Sequence, residues 1–150
     1  MKRIPNLNLD ELCDAYADNG VERQHFLNVT TGEIVTWFDP VVYGTDEYIE
    51  ELEKKLDAGL GRTYLRIPQI ESHEAYELMA EFADTISAST IRRRLERALS
   101  GRKPFRHFKD VLADYPEERE RWFDFEHEAH RRQIIRWLES HGIAVDPTPQ

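Results

Sequence analysis

The chain has 150 residues, of which 40% are hydrophobic and 33% charged, so it is long enough to bury a core and too apolar for a disordered protein. Its formal net charge of −9 argues against a dedicated DNA-binding protein. The single cysteine, Cys13, leaves no internal disulfide, and no stretch resembles a signal peptide or approaches the roughly 20 apolar residues of a membrane span. We therefore expect one cytoplasmic domain over residues 1–150, with flexible ends at 1–8 and 146–150 and no membrane partner.

The first quarter of the chain predicts a helix and then a hairpin. Apolar residues recur at helical spacing from 9 to 16, directly after the capping residue Asn8. Residues 22–30 alternate in polarity, and residues 33–38 are rich in β-branched and aromatic side chains. Gly32 lies between these segments and adopts positive φ without strain, so we expect two strands within 22–38 that turn at Thr31-Gly32.

A second helix and a third strand follow. Thr45 is the expected cap of the helix, whose predicted buried stripe is Tyr48, Ile49, Leu52 and Leu56. Residues 63–67 are mostly β-branched, aromatic or apolar and end at Pro68, which predicts a strand that joins the hairpin.

The second half of the chain predicts helices almost throughout. Ser72 is the expected cap of a helix over 73–86, and another helix is expected over about 89–100. Pro104 and Pro116 suit the first turns of two more helices, the last of which runs to about 140. The fold class is therefore α+β, a small antiparallel sheet packed by about six helices. The residues expected to be largely buried are Phe26, Leu65, Phe82, Leu95, Phe108 and Trp122.

Two stretches of the chain carry a resemblance to a known family. The first runs from Tyr64-Leu-Arg-Ile-Pro68 to Phe82, and the second from Ala98 through Phe108-Lys-Asp-Val-Leu112 to Trp122. Over roughly residues 26–143 the sequence resembles a bacterial family catalogued only as an uncharacterised protein family. The resemblance implies a small bacterial cytoplasmic protein and no particular activity.

Positive charge is concentrated in one segment. Residues 91–109, called the basic segment below, hold eight Lys or Arg and one acid, a net of +7, so the rest of the chain carries −16. In the pattern of the resembled family, the loop after Gly101 carries smaller residues than Lys103-Pro104, which predicts a locally unusual loop. The residues that we expect to bind an anionic partner are Arg93, Arg97, Arg102, Lys103, Arg106 and Lys109.

The favoured function is a non-enzymatic binding or regulatory domain whose basic segment docks an acidic partner, either a protein surface or a nucleic-acid backbone. Two alternatives need no partner, namely a basic face exposed to solvent and internal pairing with the acidic face of helix 73–86. In a third, the basic segment of one copy meets helix 73–86 of another in a homodimer.

A metal-dependent enzyme is the rival class. His127 and His130 are expected on the apolar side of the last helix, with Glu126 beside them, and two histidines with a carboxylate can begin a metal site. Their i, i+3 spacing departs from the i, i+4 spacing of the His-Glu-x-x-His pattern. No nucleophile elbow, phosphate loop or dinucleotide fingerprint occurs in the sequence. We therefore expect no metal, no cofactor and no catalytic residue.

Overall fold

The computed structural model describes residues 2–145, which divide into two compact units. The sheet unit comprises residues 2–69 and 130–145, and the helical unit comprises residues 70–129. The single domain expected from chain length stays a prediction, and the tail at 146–150 lies outside the described residues.

The described elements confirm the predicted α+β class with a mostly helical second half. The sheet unit contains α1 (Leu9–Ala17), β1 (Arg23–Asn28), β2 (Ile34–Phe38), α2 (Pro40–Tyr43), α3 (Glu47–Gly59) and β3 (Tyr64–Arg66). Residues 72–140 form α4 (Ser72–Asp84), α5 (Ser89–Ser100), α6 (Pro104–Ala113) and α7 (Pro116–Ser140). Helix α7 supplies its residues up to 129 to the helical unit and the remainder to the sheet unit. No helix within residues 2–145 is both long and apolar enough to cross a membrane.

The three strands form one antiparallel sheet, as predicted, and their order is β2-β1-β3. The hairpin between β1 and β2 turns at Gly32, which has φ of 81° and donates its N–H to the carbonyl oxygen of Asn28 at 2.8 Å. A Cβ at this position would lie 2.1 Å from the carbonyl oxygen of Pro5. Glycine is therefore required here both by the backbone angle and by the close approach of the N-terminal segment.

Alternation along the strands gives the sheet two chemically different faces. Phe26 lies opposite Val35 in the register, and both belong to a cluster with Leu52 and Leu56 of α3. The neighbouring residue His25 lies opposite Thr36 and faces the other way, where it meets Asp18 just after α1. One face is thus mainly apolar, and the other carries a polar network.

The helical unit is built on a core in which aromatic rings meet edge to face. The Trp122 ring centroid lies 5.4 Å from that of Phe82 and 5.1 Å from that of Phe108. The buried residues of this core are Met79, Phe82, Ala83, Ile86, Leu95, Leu99, Phe108, Leu112 and Trp122. Because α5 and α6 both direct apolar side chains into this core, their opposite faces are left for charged residues.

Two helix starts differ from the prediction. Helix α3 is capped by Asp46 and not by Thr45, because the Asp46 carboxylate accepts the N–H of Ile49 at 2.9 Å. Helix α4 is capped by Glu71 and not by Ser72, through a reciprocal capping box in which the Glu71 N–H donates to the Glu74 carboxylate. The short helix α2 after Asp39 was not predicted.

One burial prediction was met only in part, and another was wrong. Leu65 is half-buried, and its neighbour Tyr64 is the buried residue of β3. Tyr48, expected in the buried stripe of α3, is 53% exposed, and its hydroxyl donates to the Thr36 carbonyl at 3.2 Å. The other five residues of the predicted core are buried, as expected.

The ends of the described chain are joined by backbone hydrogen bonds. The Lys2 N–H donates to the Gly142 carbonyl at 2.8 Å, and the Ala144 N–H donates to the Lys2 carbonyl at 2.7 Å. Ile4 and Ile143 are both buried. Lys2, which belongs to the end 1–8 that we expected to be flexible, therefore pairs with the segment that follows α7.

Candidate functional site

The six predicted binding residues are all exposed in the helical unit. Arg93 and Arg97 lie one turn apart on α5, whereas Leu95 and Leu99 of the same helix are buried. Phe108 and Leu112 are the buried residues of α6. The basic surface is defined from here on as Arg93, Arg97, Arg102, Lys103, Arg106 and Lys109.

No residue of the basic surface forms an ion pair within 4.0 Å anywhere in residues 2–145. In particular, the exposed acids of α4, Glu77, Glu81 and Asp84, are not paired with it. Arg93 donates through Nε to the Ser89 carbonyl at 3.3 Å, which is a bond to its own helix. Within the described chain, these cations are not neutralised by internal salt bridges.

The other two arginines of α5 have internal partners. Arg94 donates to the Tyr115 hydroxyl at 2.8 Å and to the Asp114 carboxylate at 3.1 Å, and these bonds, in that order, raise the pKa of its guanidinium. Arg92 donates to the Ile86 carbonyl at 3.1 Å. Both side chains are half-buried, so they belong to the structure of the helical unit and not to its basic surface.

The connection between α5 and α6 has an unusual backbone. Lys103 has φ of 49° and ψ of 58°, the left-handed conformation, directly before the first residue of α6, Pro104. No side chain caps this helix start, and proline has no N–H. The positive end of the α6 dipole therefore adjoins Arg102, Lys103 and Arg106, which increases the local preference for an anion.

The three residues of the alternative metal site occupy different environments. Glu126 is half-buried, and burial raises the pKa of its carboxyl group against the opposing effect of Lys109. His127 is exposed, which corrects the prediction that it lies on an apolar side. His130 is buried, with its ring edge-on to Tyr16 at 5.2 Å between centroids.

Within residues 2–145, one group of three side chains has the spacing of metal ligands, and it is a different group. Glu71, His73 and Glu74 place ligand atoms within 4.8 Å of one another, and all three lie at the start of α4. Glu71 and Glu74 are already engaged in the capping box, and the positive end of a helix disfavours a cation. We therefore assign this group to helix capping.

Sequence reasoning missed a polar network on one face of the sheet. His25 lies 2.8 Å from the Asp18 carboxylate through Nε2 and 2.8 Å from the Thr36 hydroxyl through Nδ1. Arg23 donates to the same carboxylate through Nε at 2.9 Å and Nη2 at 2.8 Å. These bonds, those from Arg23 above all, hold the pKa of Asp18 far below its usual range although desolvation opposes them.

The period of the strand could have placed Arg23 and His25 on one face, because they are two residues apart. It could not have identified Asp18, which follows α1 and meets the strand only through the fold. The network borders a cavity of about 300 Å³ that Glu11 and Asp14 also line.

Comparison with known proteins gives a family without an assigned activity. A model of the family described as uncharacterised protein family UPF0158 matches residues 4–146. The chain is similar to the UPF0158 protein PA5073 of Pseudomonas aeruginosa, with 27% identity over 141 residues that cover 94% of this chain and 86% of that protein. No solved structure matches the chain. These matches confirm the resemblance to an uncharacterised bacterial family.

Proposed function

The chain belongs to this uncharacterised family, UPF0158, and we propose that it is a non-enzymatic binding domain that docks a short acidic segment of a partner protein on its basic surface. The observation that carries the proposal is that all six cations of this surface are exposed and that none has an ion-pair partner within residues 2–145. An acidic segment would supply carboxylates within ion-pair distance of these cations, which the described chain does not.

The distribution of charge favours an acidic protein segment over a nucleic acid. Outside the basic segment the chain carries a net −16, and like charges repel within a screening distance of about 8–10 Å at physiological ionic strength. A nucleic acid is a long, uniform polyanion, so the net negative charge of the chain opposes its approach. The six residues also include no aromatic ring on which an unpaired base would stack. A short acidic segment extends less far than a nucleic acid, so it meets less of this charge repulsion, and it has no bases that need an aromatic ring for stacking.

The side chains of the basic surface, and the helices on which most of them lie, are suited to binding carboxylates. Four of the six side chains are arginines, whose planar guanidinium binds a carboxylate through two parallel hydrogen bonds. The two helices that carry Arg93, Arg97, Arg106 and Lys109 are anchored in one core through buried residues, namely Leu95, Leu99 and Phe108. The backbone positions of these four cations are therefore fixed before binding, which reduces the entropy lost when the partner docks.

A pull-down from the native organism's lysate tests the proposal. The test variant changes Arg93, Arg97, Arg102 and Lys103 to Gln, and we expect it to lose the acidic proteins that the wild type captures. The matched control changes Lys55, Arg66, Arg132 and Arg136 to Gln, four exposed cations elsewhere in the described chain with the same total change in charge. We expect this control to capture the same proteins as the wild type.

Three further outcomes would contradict the proposal. Loss of every captured component after nuclease treatment would show that nucleic acid is the partner. A mass that doubles at low salt, in the wild type but not in the test variant, would show that the surface joins two copies. A test variant that unfolds would show that the cations stabilise the fold and are not a docking surface. Circular dichroism of each variant measures the last outcome.

A further inference from the structure

The sheet unit contains a cavity that is separate from the basic surface. It lies between α3 and the face of the sheet that carries Phe26, and its volume is about 510 Å³. Pockets of this size hold small ligands or single large side chains. The residues on which the following argument depends are Gln24, Phe26, Trp37, Glu53, Leu56 and Asp57, all of which line the cavity.

One part of the cavity wall is aromatic and apolar. Phe26 and Leu56 are buried, and Trp37 is half-buried, so the indole is fixed by packing but still borders open space. Trp37 lies opposite Gln24 in the strand register, which places the Gln24 amide on the same face of the sheet. An indole is the aromatic side chain that attracts a cation most strongly.

Another part of the wall is anionic, and one of its carboxylates accepts a hydrogen bond from the Trp37 indole. The Trp37 Nε1–H donates to the Glu53 carboxylate at 3.4 Å. Asp57 follows Glu53 by one helical turn, so the two carboxylates lie on the same side of α3. Neither carboxylate forms an ion pair within residues 2–145, whereas Lys54 of the same helix pairs with Glu51.

We infer that this cavity binds a guanidinium group on an aliphatic stem. The planar cation would lie against the Trp37 indole and donate to Glu53 and Asp57, while the stem would contact Phe26 and Leu56. A guanidinium suits this arrangement better than an ammonium because it is flat, weakly hydrated and able to donate to two carboxylates at once. The group is either the arginine side chain of a protein or a free alkylguanidine, and the chemistry of recognition is the same for both.

Calorimetric titration with three probes tests the inference. N-acetyl-L-arginine N-methylamide mimics a protein arginine, n-butylguanidinium represents a free guanidine, and N-acetyl-L-citrulline N-methylamide is a neutral analogue of the first. We expect both cations to bind and the citrulline compound to bind about tenfold more weakly than its arginine counterpart. Tighter binding of the arginine compound than of butylguanidinium would indicate a protein ligand, and the reverse order would indicate a free one.

Two variants locate the site. Glu53→Gln with Asp57→Asn should weaken binding of the cationic probes about tenfold or more. Glu50→Gln with Glu51→Gln removes the same charge from exposed positions of α3 outside the cavity lining and should leave the affinity unchanged. The Trp37 indole N–H resonance reports binding at the cavity directly. Equal affinity for arginine and citrulline, equal affinity of the first variant and the wild type, or no binding of either cation would overturn the inference.

Discussion

At the scale of single residues, Asp18 connects the segment after α1 to the first strand of the sheet. It accepts hydrogen bonds from Arg23 and lies 2.8 Å from the His25 ring, and both of these residues belong to β1. The Gln69 amide donates to the backbone carbonyls of Asp18, Gly20 and Arg23 at 2.7 to 3.1 Å. The segment after α1 is thereby fixed to the start of the sheet.

The first prediction concerns the pH dependence of this contact. The pKa of Asp18 is lower in the folded protein than the value of about 3.9 expected for the unfolded chain. Its stabilisation is therefore fully present above the unfolded pKa and is lost as the pH falls through the folded pKa. Asp18→Asn should lower the free energy of unfolding by about 1–2 kcal/mol at pH 7, and the difference from wild type should shrink as the pH falls from about 5 toward 2.

Urea titrations of both proteins at several pH values measure this difference. Arg23→Gln, which removes the main cause of the lowered pKa, should show the same loss with the same pH dependence. A difference between Asp18→Asn and wild type that stays constant from pH 7 to acid would contradict this account of the carboxylate.

The second prediction concerns the aromatic core of the helical unit. Phe108 is fully buried between Phe82 and Trp122, so Phe108→Ala should lower the free energy of unfolding by about 3–5 kcal/mol. Phe123→Ala on α7 is a suitable control, because this ring is 43% exposed and should cost less than about 1 kcal/mol. Chemical denaturation measures both values, and a similar cost for the two variants would contradict the described packing.

At the scale of elements, the junction between α5 and α6 combines charge with backbone strain. Within residues 2–145, Asn6 and Lys103 are the two residues other than glycine with positive φ. A lysine in this conformation is disfavoured because its Cβ approaches the neighbouring carbonyl oxygen. The locally unusual loop that the family pattern predicts after Gly101 coincides with this strained residue.

The third prediction uses this strain. Lys103→Gly should raise the free energy of unfolding by up to about 1 kcal/mol. Glycine adopts positive φ without the steric cost that lysine bears, and we expect this gain to exceed the loss caused by the greater entropy of glycine in the unfolded chain. Arg102→Gly is the matched control, since Arg102 is also exposed and does not have positive φ. Thermal unfolding should show a higher midpoint for the first variant only. A lower midpoint for Lys103→Gly would contradict the assigned conformation.

Periodicity predicted most elements because each is specified by its own residues. The hairpin turn follows from Gly32, and α5, α6 and α7 follow from apolar stripes that end close to a glycine or a proline. The cap at Asp46 was assigned to Thr45 because both residues are good caps and only the fold selects one. In β3, Tyr64 and Leu65 are both apolar, so alternation alone could not tell which one faces the core.

The candidate site could be predicted only in part. Helical spacing was enough to predict that Arg93, Arg97, Arg106 and Lys109 lie opposite the buried stripes of α5 and α6, and Arg102 and Lys103 were expected in the loop between these helices. Spacing could not predict the partners of Arg92 and Arg94, because the Ile86 carbonyl and the Tyr115 hydroxyl reach these side chains only through the fold. The cavity that contains Trp37 was not predicted, since it forms between a strand and a helix that are distant in sequence.

At the scale of the whole molecule, the positive charge of the basic surface contrasts with the net negative charge of the rest of the chain. An acidic chain with one cationic region repels polyanions in general but still attracts a short acidic segment at that region. Electrostatic docking of this kind weakens as salt screens the charges, and the complex forms quickly because the opposite charges steer the encounter.

The affinity of the chain for a fluorescein-labelled octaglutamate peptide tests the docking of acidic segments on the basic surface most directly. Fluorescence anisotropy at about 50 mM and about 300 mM salt should show binding that weakens strongly with salt. The variant with Arg93, Arg97, Arg102 and Lys103 changed to Gln should bind at least about tenfold more weakly, and the Lys55, Arg66, Arg132 and Arg136 control should bind like the wild type. Equal binding of the peptide by the basic-surface variant and the wild type would contradict the proposed function.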